Sequence, residues 1–388
     1  MKIAAIVAEY NPFHLGHKYQ IDALRKMGFT HIIAVMSGNF VQRGDVAILN
    51  KTKRTRLALE NGADLVLEIP TSFCLAPAQK YAHGAIGVLK SLGIDFTLCF
   101  GSETGDIQTL CAVKDAMNDQ RVQQEIANNL KSGKTYSALV QSAVQKFYGD
   151  RRAGVLDNPN DTLGIEYLKA LDEFGVNADV IAIKRKGVGH LQQTACENFA
   201  SASLIRKTVA QGESVADFVP ENTHQALQNG PVHTLEYGER ALLWATKTVT
   251  LSQFCELPDE CEGLGSRLYT CAKGATDVQG LFMSAKTKRY TLARIRRMYL
   301  SASLGIDEYA FPPYIRALGC TTAGTQILNL ISKQAKSPVV TSYATAKLVS
   351  KSAEEYFEKE ARYTDFYSMF AQNPTPSGEE FRAGFVKI

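Results

Sequence analysis

Two histidines near the start of the chain are the clearest candidates for chemistry. His14 and His17 are separated by two residues, the second of which is Gly16, in the pattern His-x-Gly-His. An imidazole can donate a hydrogen bond to a phosphate oxygen or carry a proton near neutral pH. A metal site is a poorer interpretation of the pair, because a third ligand is needed and neither an HExxH motif nor a cysteine cluster lies near. We therefore expect no protein-bound metal here.

The residues on either side predict where these imidazoles lie. An apolar, β-branched run at 3–8 predicts a buried strand, and residues 18–27 have helical spacing. Pro12 interrupts the strand, and Gly16 lets the backbone approach a ligand. The histidines are thus expected at the carboxyl end of the first strand, beside a helix amino terminus, where α/β sheets bind ligands and phosphate is favoured. A plainer alternative makes His14 a helix cap and His17 a surface residue.

The first half of the sequence alternates short apolar runs with helical patterns. Further strands are predicted at 30–37, 63–69, 94–100 and 179–183, with helices between them. This alternation predicts an α/β fold with a Rossmann-like, doubly wound parallel sheet. At 388 residues the chain is expected to form two domains, at 1–210 and 211–388, the second mostly α-helical.

Other predicted strand ends carry residues that suit a nucleotide. Gly101 would let a flat base or ribose lie against the backbone. Asn160 stands at a helix start, and its amide could read a ribose or adenine edge or simply cap the helix. The run Lys184-Arg185-Lys186-Gly187 places positive charge at the last strand end, where phosphate contact explains it better than stability does.

A second phosphate cradle is predicted around 200–207. Ser201 and Ser203 open a helix, and Arg206 follows one turn later. A helix amino terminus with hydroxyl groups and a guanidinium can hold the β- and γ-phosphates. The alternative is an ordinary serine cap with surface cations.

Composition indicates an intracellular protein. The net charge is only +4 and 45% of the residues are hydrophobic, so a nucleic-acid partner would have to be met by a local basic patch. Eight cysteines lie apart without zinc spacing and are expected to be reduced. With no signal segment and no long apolar run, we expect a cytoplasmic protein without membrane contact.

The second half offers such a patch. Residues 278–306 include six Lys or Arg and no Asp or Glu. If 281–299 is one helix, Lys286, Arg289, Arg296 and Arg297 fall within an arc of roughly 100° and would meet RNA phosphate. The alternative is a solvated basic face. A second cationic helix, with Lys51, Lys53, Arg54 and Arg56, could be solvated or could face RNA or phosphate.

Together these motifs are more specific than any one of them. His-x-Gly-His after the first strand resembles nucleotidyltransferases related to class I aminoacyl-tRNA synthetases. The full set resembles the tRNA(Met) cytidine acetate ligase family of bacteria, and the resemblance extends to 286–291 and 313–319. Its motifs are E-Y-N-P-F-H-x-G-H, V-M-S-G-N-F-x-Q-R-G, F-G-S-E, P-N-[ND]-x-L-G and S-A-S-x-I-R-K.

The resemblance implies an ATP-dependent ligase. Such an enzyme makes acetyl-adenylate from acetate and ATP, with Mg²⁺ accompanying the ATP, and acetylates N4 of the wobble cytidine of elongator tRNA(Met). It implies that 1–210 is the ATP-binding domain and 211–388 the tRNA-binding domain. His14 and His17 would stabilise the α-phosphate region, while Arg206, Ser201 and Ser203 would hold pyrophosphate. The remaining implied ATP-binding residues are Val7, Ala8, Glu9, Tyr10, Asn11, Pro12, Phe13, Leu15, Gly16, Lys18, Tyr19, Gln20, Gly101, Asn160 and Arg185, with Lys184 an alternative to Arg185.

Two other functions remain open on the sequence alone. One is a small-molecule adenylyl- or cytidylyltransferase, which needs the same phosphate site but a compact acceptor pocket. The other is a nucleotide-dependent RNA-binding protein without chemistry. Acetate-dependent exchange of pyrophosphate into ATP distinguishes all three.

Overall fold

A central β-sheet organises the molecule. The computed structural model describes residues 1–185, 199–261 and 263–388. Its strands are β1 (Ile3–Ala8), β2 (His31–Ser37), β3 (Phe40–Val41), β4 (Asp45–Val46), β5 (Leu65–Ile69), β6 (Thr97–Ser102), β7 (Asp179–Lys184), β8 (Ile315–Cys320), β9 (Val339–Val340) and β10 (Val386–Lys387).

Helices cover both faces of the sheet and build the rest of the chain. They are α1 (Leu15–Lys26), α2 (Lys51–Glu60), α3 (Thr71–Cys74), α4 (Ala78–Ser91), α5 (Ile107–Asn118), α6 (Gln120–Asn129), α7 (Tyr136–Tyr148), α8 (Asp150–Ala153), α9 (Pro159–Phe174), α10 (Ala202–Ala210), α11 (Glu221–Asn229), α12 (Glu239–Thr248), α13 (Leu251–Cys255), α14 (Leu264–Gly274), α15 (Val278–Ala285), α16 (Leu292–Leu304), α17 (Thr322–Gln334), α18 (Tyr343–Val349), α19 (Lys351–Ser368) and α20 (Glu379–Arg382). Short 3₁₀ helices lie at Leu130–Ser132 and Gly154–Asp157. Among the described residues, none of these helices is long and apolar enough to cross a membrane.

The sheet has the strand order β10-β8-β5-β2-β1-β6-β7, with β9 also paired to β8. Strands β5, β2, β1, β6 and β7 are mutually parallel, which confirms the predicted doubly wound α/β fold. Strand β8 runs antiparallel to β5. The prediction of a mostly helical domain at 211–388 did not include this return of the chain, in which β8, β9 and β10 extend the sheet of the first domain.

Side chains of the first strand show why this strand is central. Ile3, Ala5 and Val7 belong to one hydrophobic cluster, whereas Ala4 and Ile6 belong to another. Successive side chains of a strand point to opposite faces, so both faces of the sheet are buried. A strand buried on both faces has an uninterrupted apolar sequence, as residues 3–8 do.

A third hydrophobic cluster forms the core of the helical part of the chain. It includes Leu242 of α12, Leu268 of α14, Leu281 of α15 and Tyr299 of α16. Phe40 of β3 packs in the same cluster. We call helices α12 to α16 the helical module. The small β3–β4 hairpin packs in the core of this module and so joins it to the sheet edge at which the parallel strands end.

The prediction of a single helix at 281–299 is wrong. Helix α15 ends at Ala285, and α16 begins only after Thr291, whose hydroxyl accepts the N–H of Arg294 at 3.4 Å. Between them the Thr287 hydroxyl accepts the N–H groups of Arg289 and Tyr290, at 3.2 and 3.1 Å. Threonine side chains compete in this way with helical hydrogen bonding, so the four predicted cations do not share one helix face.

Helix α2 is not simply a solvated cationic helix, because some of its cations are buried. Lys51 is buried, and its Nζ lies 2.7 Å from Glu68 Oε1 and 2.8 Å from Glu380 Oε2. Arg316 of β8 also pairs with Glu380, at 3.0 Å. This buried ionic cluster connects α2 and β5 with the returning strand β8 and the last helix, α20.

Replacing the central cation of this cluster should destabilise the fold. Lys51→Met would leave Glu68 and Glu380 buried with only Arg316 as a nearby cation, and removing one partner of a buried ion pair costs about 3–5 kcal/mol. The free energy of unfolding, measured by urea denaturation, should fall by that amount. Arg56→Met is the matched control on the same helix, since the Arg56 side chain is 57% exposed, and should change stability by less than about 0.5 kcal/mol. Equal unfolding midpoints for the two variants would contradict a stabilising role for the cluster.

Candidate active site

A cavity of about 450 Å³ opens at the carboxyl ends of β1, β6 and β7. Its wall is formed by the loop after β1, the ends of β6 and β7, and the beginnings of α1, α9 and α10. This is the edge of an open α/β sheet at which ligands bind. The strand order places β1 between β2 and β6, so the loop after β1 lies near the centre of that edge.

Most of the predicted site residues line this one cavity. They are Val7, Ala8, Glu9, Tyr10, Asn11, His14, Gly16, His17, Tyr19, Gln20, Gly101, Asn160, Arg185, Ser201, Ser203 and Arg206. Pro12, Phe13, Leu15 and Lys18 are not among the lining residues. The Phe13 ring is fully buried, and the Lys18 ammonium forms an ion pair with Asp22.

The two imidazoles form a stacked pair at the start of α1. Their ring centroids are 3.7 Å apart and their planes are inclined by 20°. His14 is the N-cap residue, and its Nδ1 accepts the N–H of Gly16 at 3.0 Å. His17 Nδ1 in turn accepts the N–H of His14 at 3.2 Å. The capping role considered for His14 is thus real, and His17 lines the cavity beside it.

This bonding decides which ring nitrogen faces a ligand as a donor. Because each Nδ1 accepts a backbone N–H, the neutral ring carries its proton on Nε2. Burial, with smaller contributions from Arg185 and Arg206, lowers the pKa of His14 to about 3. Burial and the neighbouring His14 also lower the pKa of His17 well below its usual value. At neutral pH both residues are therefore uncharged donors.

Gly16 is required by this arrangement. A Cβ at this position would lie 2.8 Å from His14 Cε1 and 3.0 Å from His14 Nδ1, closer than real Cβ contacts. Any larger residue would displace the His14 ring that folds over it. The motif therefore has a glycine at this position because the His14 ring packs against the first turn of its own helix.

The loop before the histidines is held in a strained conformation and has unused polar groups. Tyr10 has a φ of +47°, which is uncommon for a residue other than glycine. Its buried hydroxyl and the buried Nδ2 of Asn11 have no hydrogen-bond partner among the described residues. Buried polar atoms are normally paired, so these two groups beside the cavity are unusual, and neither atom is itself accessible from the cavity.

Arg54 of α2 holds this loop through hydrogen bonds to backbone carbonyl oxygens. Its Nη1 donates to the carbonyl oxygens of Glu9 and Ser37, at 2.6 and 3.0 Å, and its Nη2 donates to that of Gly38. The side chain is completely buried. Arg54 is therefore neither solvated nor available to contact RNA, which were the two alternatives for this basic helix.

Arg206 and two serines at α10 line the same cavity. Ser201 caps α10 by accepting the N–H of Leu204 at 3.2 Å, and its hydroxyl lies 3.0 Å from that of Ser203. Arg206 Nη1 donates to the carbonyl oxygen of Asn11 at 2.7 Å. The guanidinium thus connects the start of α10 to the histidine loop, with the two hydroxyls beside it.

The remaining predicted residues lie at the ends of β6 and β7. The Arg185 N–H donates to the carbonyl of Ser102 at 2.9 Å, and the Arg185 side chain lies beside Gly101. Asn160 Nδ2 donates to Glu103 Oε1 at 2.5 Å, and Asn158 is the N-cap residue, so Asn160 does not cap α9. Both Lys184 and Arg185 line the cavity. Lys186 and Gly187 lie outside the described residues.

Sequence reasoning missed several lining residues. Gln42 and Arg43, at the tip of the β3–β4 hairpin, line the cavity together with Tyr81 and Phe199. The V-M-S-G-N-F-x-Q-R-G motif contains the first two, and it is the available signal for them. Tyr81 lies within an ordinary helical pattern, so nothing in the sequence distinguishes it.

The four cations predicted to bind RNA do not form one surface. Arg297 is buried, and it lies 3.4 Å from Asp259 and donates to the Gln42 carbonyl at 3.4 Å. Arg294 pairs with the same Asp259 at 3.2 Å. Residues 278–306 contain no acidic residue, and the carboxylate that pairs with these two arginines comes from outside that range. Lys286 is exposed, whereas Arg289 and Arg296 are half-buried.

The β3–β4 hairpin lies directly against α16. Gly44, with φ +70°, has no room for a Cβ, which would meet the Arg297 nitrogen at 2.5 Å and the Arg296 Cβ at 2.6 Å. Because Gln42 and Arg43 line the cavity on the same hairpin, the basic start of α16 and the cavity are separated only by this turn.

Comparison with known proteins gives consistent matches over the whole chain. A model of the HIGH nucleotidyl transferase family matches residues 1–381. A tRNA(Met) cytidine acetate ligase of Thermoanaerobacter sp. (strain X514) is 34% identical over 407 residues, covering 100% of both chains. One from Leuconostoc mesenteroides is 35% identical and covers 88% of this chain and 89% of its own.

Solved structures give the same result. Apo TmcAL of Thermotoga maritima superposes with a TM-score of 0.92 at 31% identity, and each chain is covered completely. The same protein bound to alpha-thio ATP superposes with a TM-score of 0.91, again at 31% identity and complete coverage. The likeness therefore includes both the sheet and the helical module.

The depressed pKa of His14 predicts a specific loss of stability in acid. Between its ordinary value of 6.5 and about 3, the unfolded chain binds a proton that the folded chain does not, so stability falls as the pH falls below 6.5. His14→Asn keeps a capping side chain and removes this proton linkage. The free energy of unfolding of the wild type should decrease by about 1–2 kcal/mol more than that of the variant between pH 7 and pH 5. Parallel pH profiles for the two proteins would show that the imidazole is not buried in its neutral form.

Proposed function

Because the chain belongs to the HIGH nucleotidyl transferase family and, within it, to the tRNA(Met) cytidine acetate ligases, we propose that it acetylates N4 of the wobble cytidine of elongator tRNA(Met) at the expense of ATP. Two observations together carry this proposal. The chain resembles these ligases over its full length, and its cavity at the strand ends is lined by two neutral imidazoles, a guanidinium and a serine-capped helix.

The first half-reaction activates acetate. A carboxylate oxygen of acetate attacks the α-phosphorus of ATP, and the bond from that phosphorus to pyrophosphate breaks, which leaves acetyl-adenylate. The Nε2–H groups of His14 and His17 would donate to α-phosphate oxygens as their charge increases. Arg206 and the hydroxyls of Ser201 and Ser203 would hold the departing pyrophosphate. No covalent enzyme intermediate is required, since the protein needs only to orient two anions.

Nucleotide contacts are proposed for three further residues. Gly101 and Arg185 both line the cavity, and the Arg185 side chain packs beside Gly101, so a base or ribose would lie against this glycine and the guanidinium together. Asn160 is held by Glu103, so its position at the cavity edge is fixed before a nucleotide binds.

Mg²⁺ is proposed to enter with ATP. Among the described residues no group of three or more His, Cys, Asp or Glu side chains could hold a metal ion on its own. Mg²⁺ in nucleotide sites is usually held by phosphates with one or two carboxylates, and it neutralises phosphate charge. Glu9 and Asp157 line the cavity, and Glu9 is oriented by the N–H of Gln42 at 2.9 Å, so the residues present fit an ion brought by the nucleotide.

The second half-reaction transfers the acetyl group. The cytosine N4 attacks the carbonyl carbon of acetyl-adenylate, the bond to AMP breaks, and N4 releases a proton. The base must leave its stack to reach the cavity, as bases do in other base-modifying enzymes. The hairpin tip with Gln42 and Arg43 lies between the cavity and α16, so RNA held along α16 could deliver a base past it.

The proposed RNA surface is smaller than the sequence predicted. Lys286, Arg289 and Arg296 remain candidates, whereas Arg297 is excluded as a direct contact because it is buried against Asp259. Arg297 instead holds α16 to the carbonyl of Gln42. Its role is then to fix the hairpin, and the other cations meet phosphate.

Replacing either histidine should abolish activation while the protein stays folded. His14→Ala or His17→Ala should lower acetate-dependent pyrophosphate exchange into ATP by at least about a hundredfold, the effect of one lost preorganised donor. His83→Ala is the matched control, since His83 lies outside the cavity lining and pairs with Glu173. Circular dichroism checks folding. Folded cavity variants that exchange at the control rate would refute the catalytic assignment, and exchange that needs no acetate would favour a nucleotidyltransferase.

Neutralising two cations of the RNA surface should weaken tRNA binding selectively. For Lys286→Gln with Arg296→Gln, the slope of log affinity against log salt should flatten by roughly one to two units. Lys131→Gln with Lys134→Gln, in an exposed segment of the first domain, is the matched control and should leave the slope unchanged. Filter binding over a salt series measures this. If both pairs give the wild-type slope, the RNA does not lie along α15 and α16.

A further inference from the structure

The single tryptophan of the chain is exposed to solvent. Trp244 lies in the middle of α12, and 70% of its surface is accessible. Tryptophan is a large apolar side chain that is usually well buried. An indole held outward by a regular helix therefore calls for a partner outside the described part of the chain.

The neighbours of this indole are basic. Leu242, Ala245 and Thr246 bury one face of α12 in the helical module. Arg240 and Lys247 are exposed, and they stand four residues before and three residues after Trp244, so all three share the outer face. In the described part of the chain neither cation forms an ion pair. We call Arg240, Trp244 and Lys247 the α12 platform.

A third cation extends the platform. The Lys273 ammonium of α14 donates to the carbonyl oxygen of Lys247, at the end of α12. The carboxylate of Glu239 is turned away to accept the N–H of Val278 at 2.9 Å. The outer face of α12 thus combines one large aromatic surface with positive charge.

The chain before α12 contacts the β3–β4 hairpin, whose tip lines the cavity. His233, six residues before α12, donates its N–H to the carbonyl oxygen of Ile48 at 2.9 Å, and Leu235 packs in one hydrophobic cluster with Phe40 and Val46 of the hairpin. The segment that leads into α12 therefore lies against the β3–β4 hairpin. At about 1.5 Å of rise per residue, Trp244 lies roughly 8 Å along the axis from the first residue of α12. The chain thus runs from the hairpin at the cavity into the helix that carries the platform.

We propose that the α12 platform binds an unpaired nucleotide of the RNA, which stacks on the Trp244 indole while Arg240 and Lys247 contact adjacent phosphates. This inference rests on the proposed function, because it assumes that the substrate is RNA. Proteins recognise unpaired nucleotides by stacking bases on aromatic rings and by holding phosphates with cations. A protein partner fits less well, since Arg240 and Lys247, the exposed residues one turn before and one turn after Trp244, are both cations. A second copy of this chain would bring the same positive charges together.

The single tryptophan makes the proposal directly observable. Unmodified tRNA(Met) transcript is titrated into the wild-type protein, and tryptophan emission is followed with binding measured in parallel by filter retention. Emission should be quenched with the same midpoint as the binding curve, because a stacked base contacts the indole. RNA that binds fully without changing the emission, or its accessibility to iodide, would overturn the proposal.

Substitution provides the second measurement. Trp244→Ala should weaken tRNA affinity by about ten- to a hundredfold, the value of one base–aromatic stack, whereas Trp244→Phe should keep part of the affinity. Arg240→Gln should flatten the salt dependence of binding by roughly one log–log unit. Tyr136→Ala is the control, because Tyr136 is 62% exposed on α7 of the first domain, and should bind RNA normally. Thermal melts by circular dichroism verify folding, and wild-type affinity of folded Trp244→Ala would contradict the proposal.

Two further measurements separate RNA binding by the platform from self-association and from the proposed acetylation. Sedimentation of the wild type and of Trp244→Ala tests self-association, and a wild-type dimer that the substitution dissociates would overturn the RNA assignment in favour of a second copy. Acetate-dependent pyrophosphate exchange by the wild type tests the proposed function separately. If exchange is absent while tRNA still quenches Trp244, the proposed acetylation fails and the platform stands.

Discussion

The bonding of the buried Arg54 guanidinium to the exits of β1 and β2 is the constraint on which the cavity depends. Its donors meet four carbonyl oxygens, those of Leu49, Glu9, Ser37 and Gly38. Each strand end would otherwise present a buried acceptor without a donor, at a cost of about 1–3 kcal/mol. Because Arg206 also donates to the carbonyl of Asn11 at 2.7 Å, the loop that presents the imidazoles is held by two guanidinium groups.

Helix α2 also connects this loop to the rest of the chain. Lys51, one turn before Arg54, binds Glu68 of β5 and Glu380 near the carboxyl terminus. Tyr367 of α19 donates to the carbonyl of Ala47 at 2.7 Å, just ahead of α2. The last part of the chain therefore supports the nucleotide side of the sheet, although its sequence is remote from the motifs. The hairpin against α16 makes the corresponding connection to the helical module, so the cavity and the basic helices share one scaffold.

The sequence predicted the elements whose signals are local. The first strand is uninterrupted and apolar, and parallel strands bring their carboxyl ends to one edge, so the amino-acid sequence alone places His14, Gly101 and Arg185 together. Partners that are remote in sequence could not be predicted. Lys51 and Arg54 have the pattern of solvated cations, because Glu380 and the strand-exit carbonyls reach them only through the fold.

The same limit explains the errors in the helical module. Asp259, the partner of Arg297, lies 38 residues away, so the sequence around Arg297 contains no acidic residue to pair with it. The helical spacing of 281–299 continues across the turn that the Thr287 hydroxyl makes, and periodicity alone does not reveal that turn. The assignment of individual cavity residues to ATP stays a prediction.

The central claim is that acetate attacks the α-phosphorus of ATP in this cavity. It is tested most directly by a single turnover with acetate labelled with ¹⁸O in both carboxylate oxygens, ATP and unmodified tRNA(Met), followed by mass spectrometry of the nucleotide products. Attack at the α-phosphorus leaves one acetate oxygen on phosphorus when the acetyl group is transferred, so AMP should carry one ¹⁸O and pyrophosphate none. Unlabelled AMP, or ADP formed with labelled phosphate, would contradict the account.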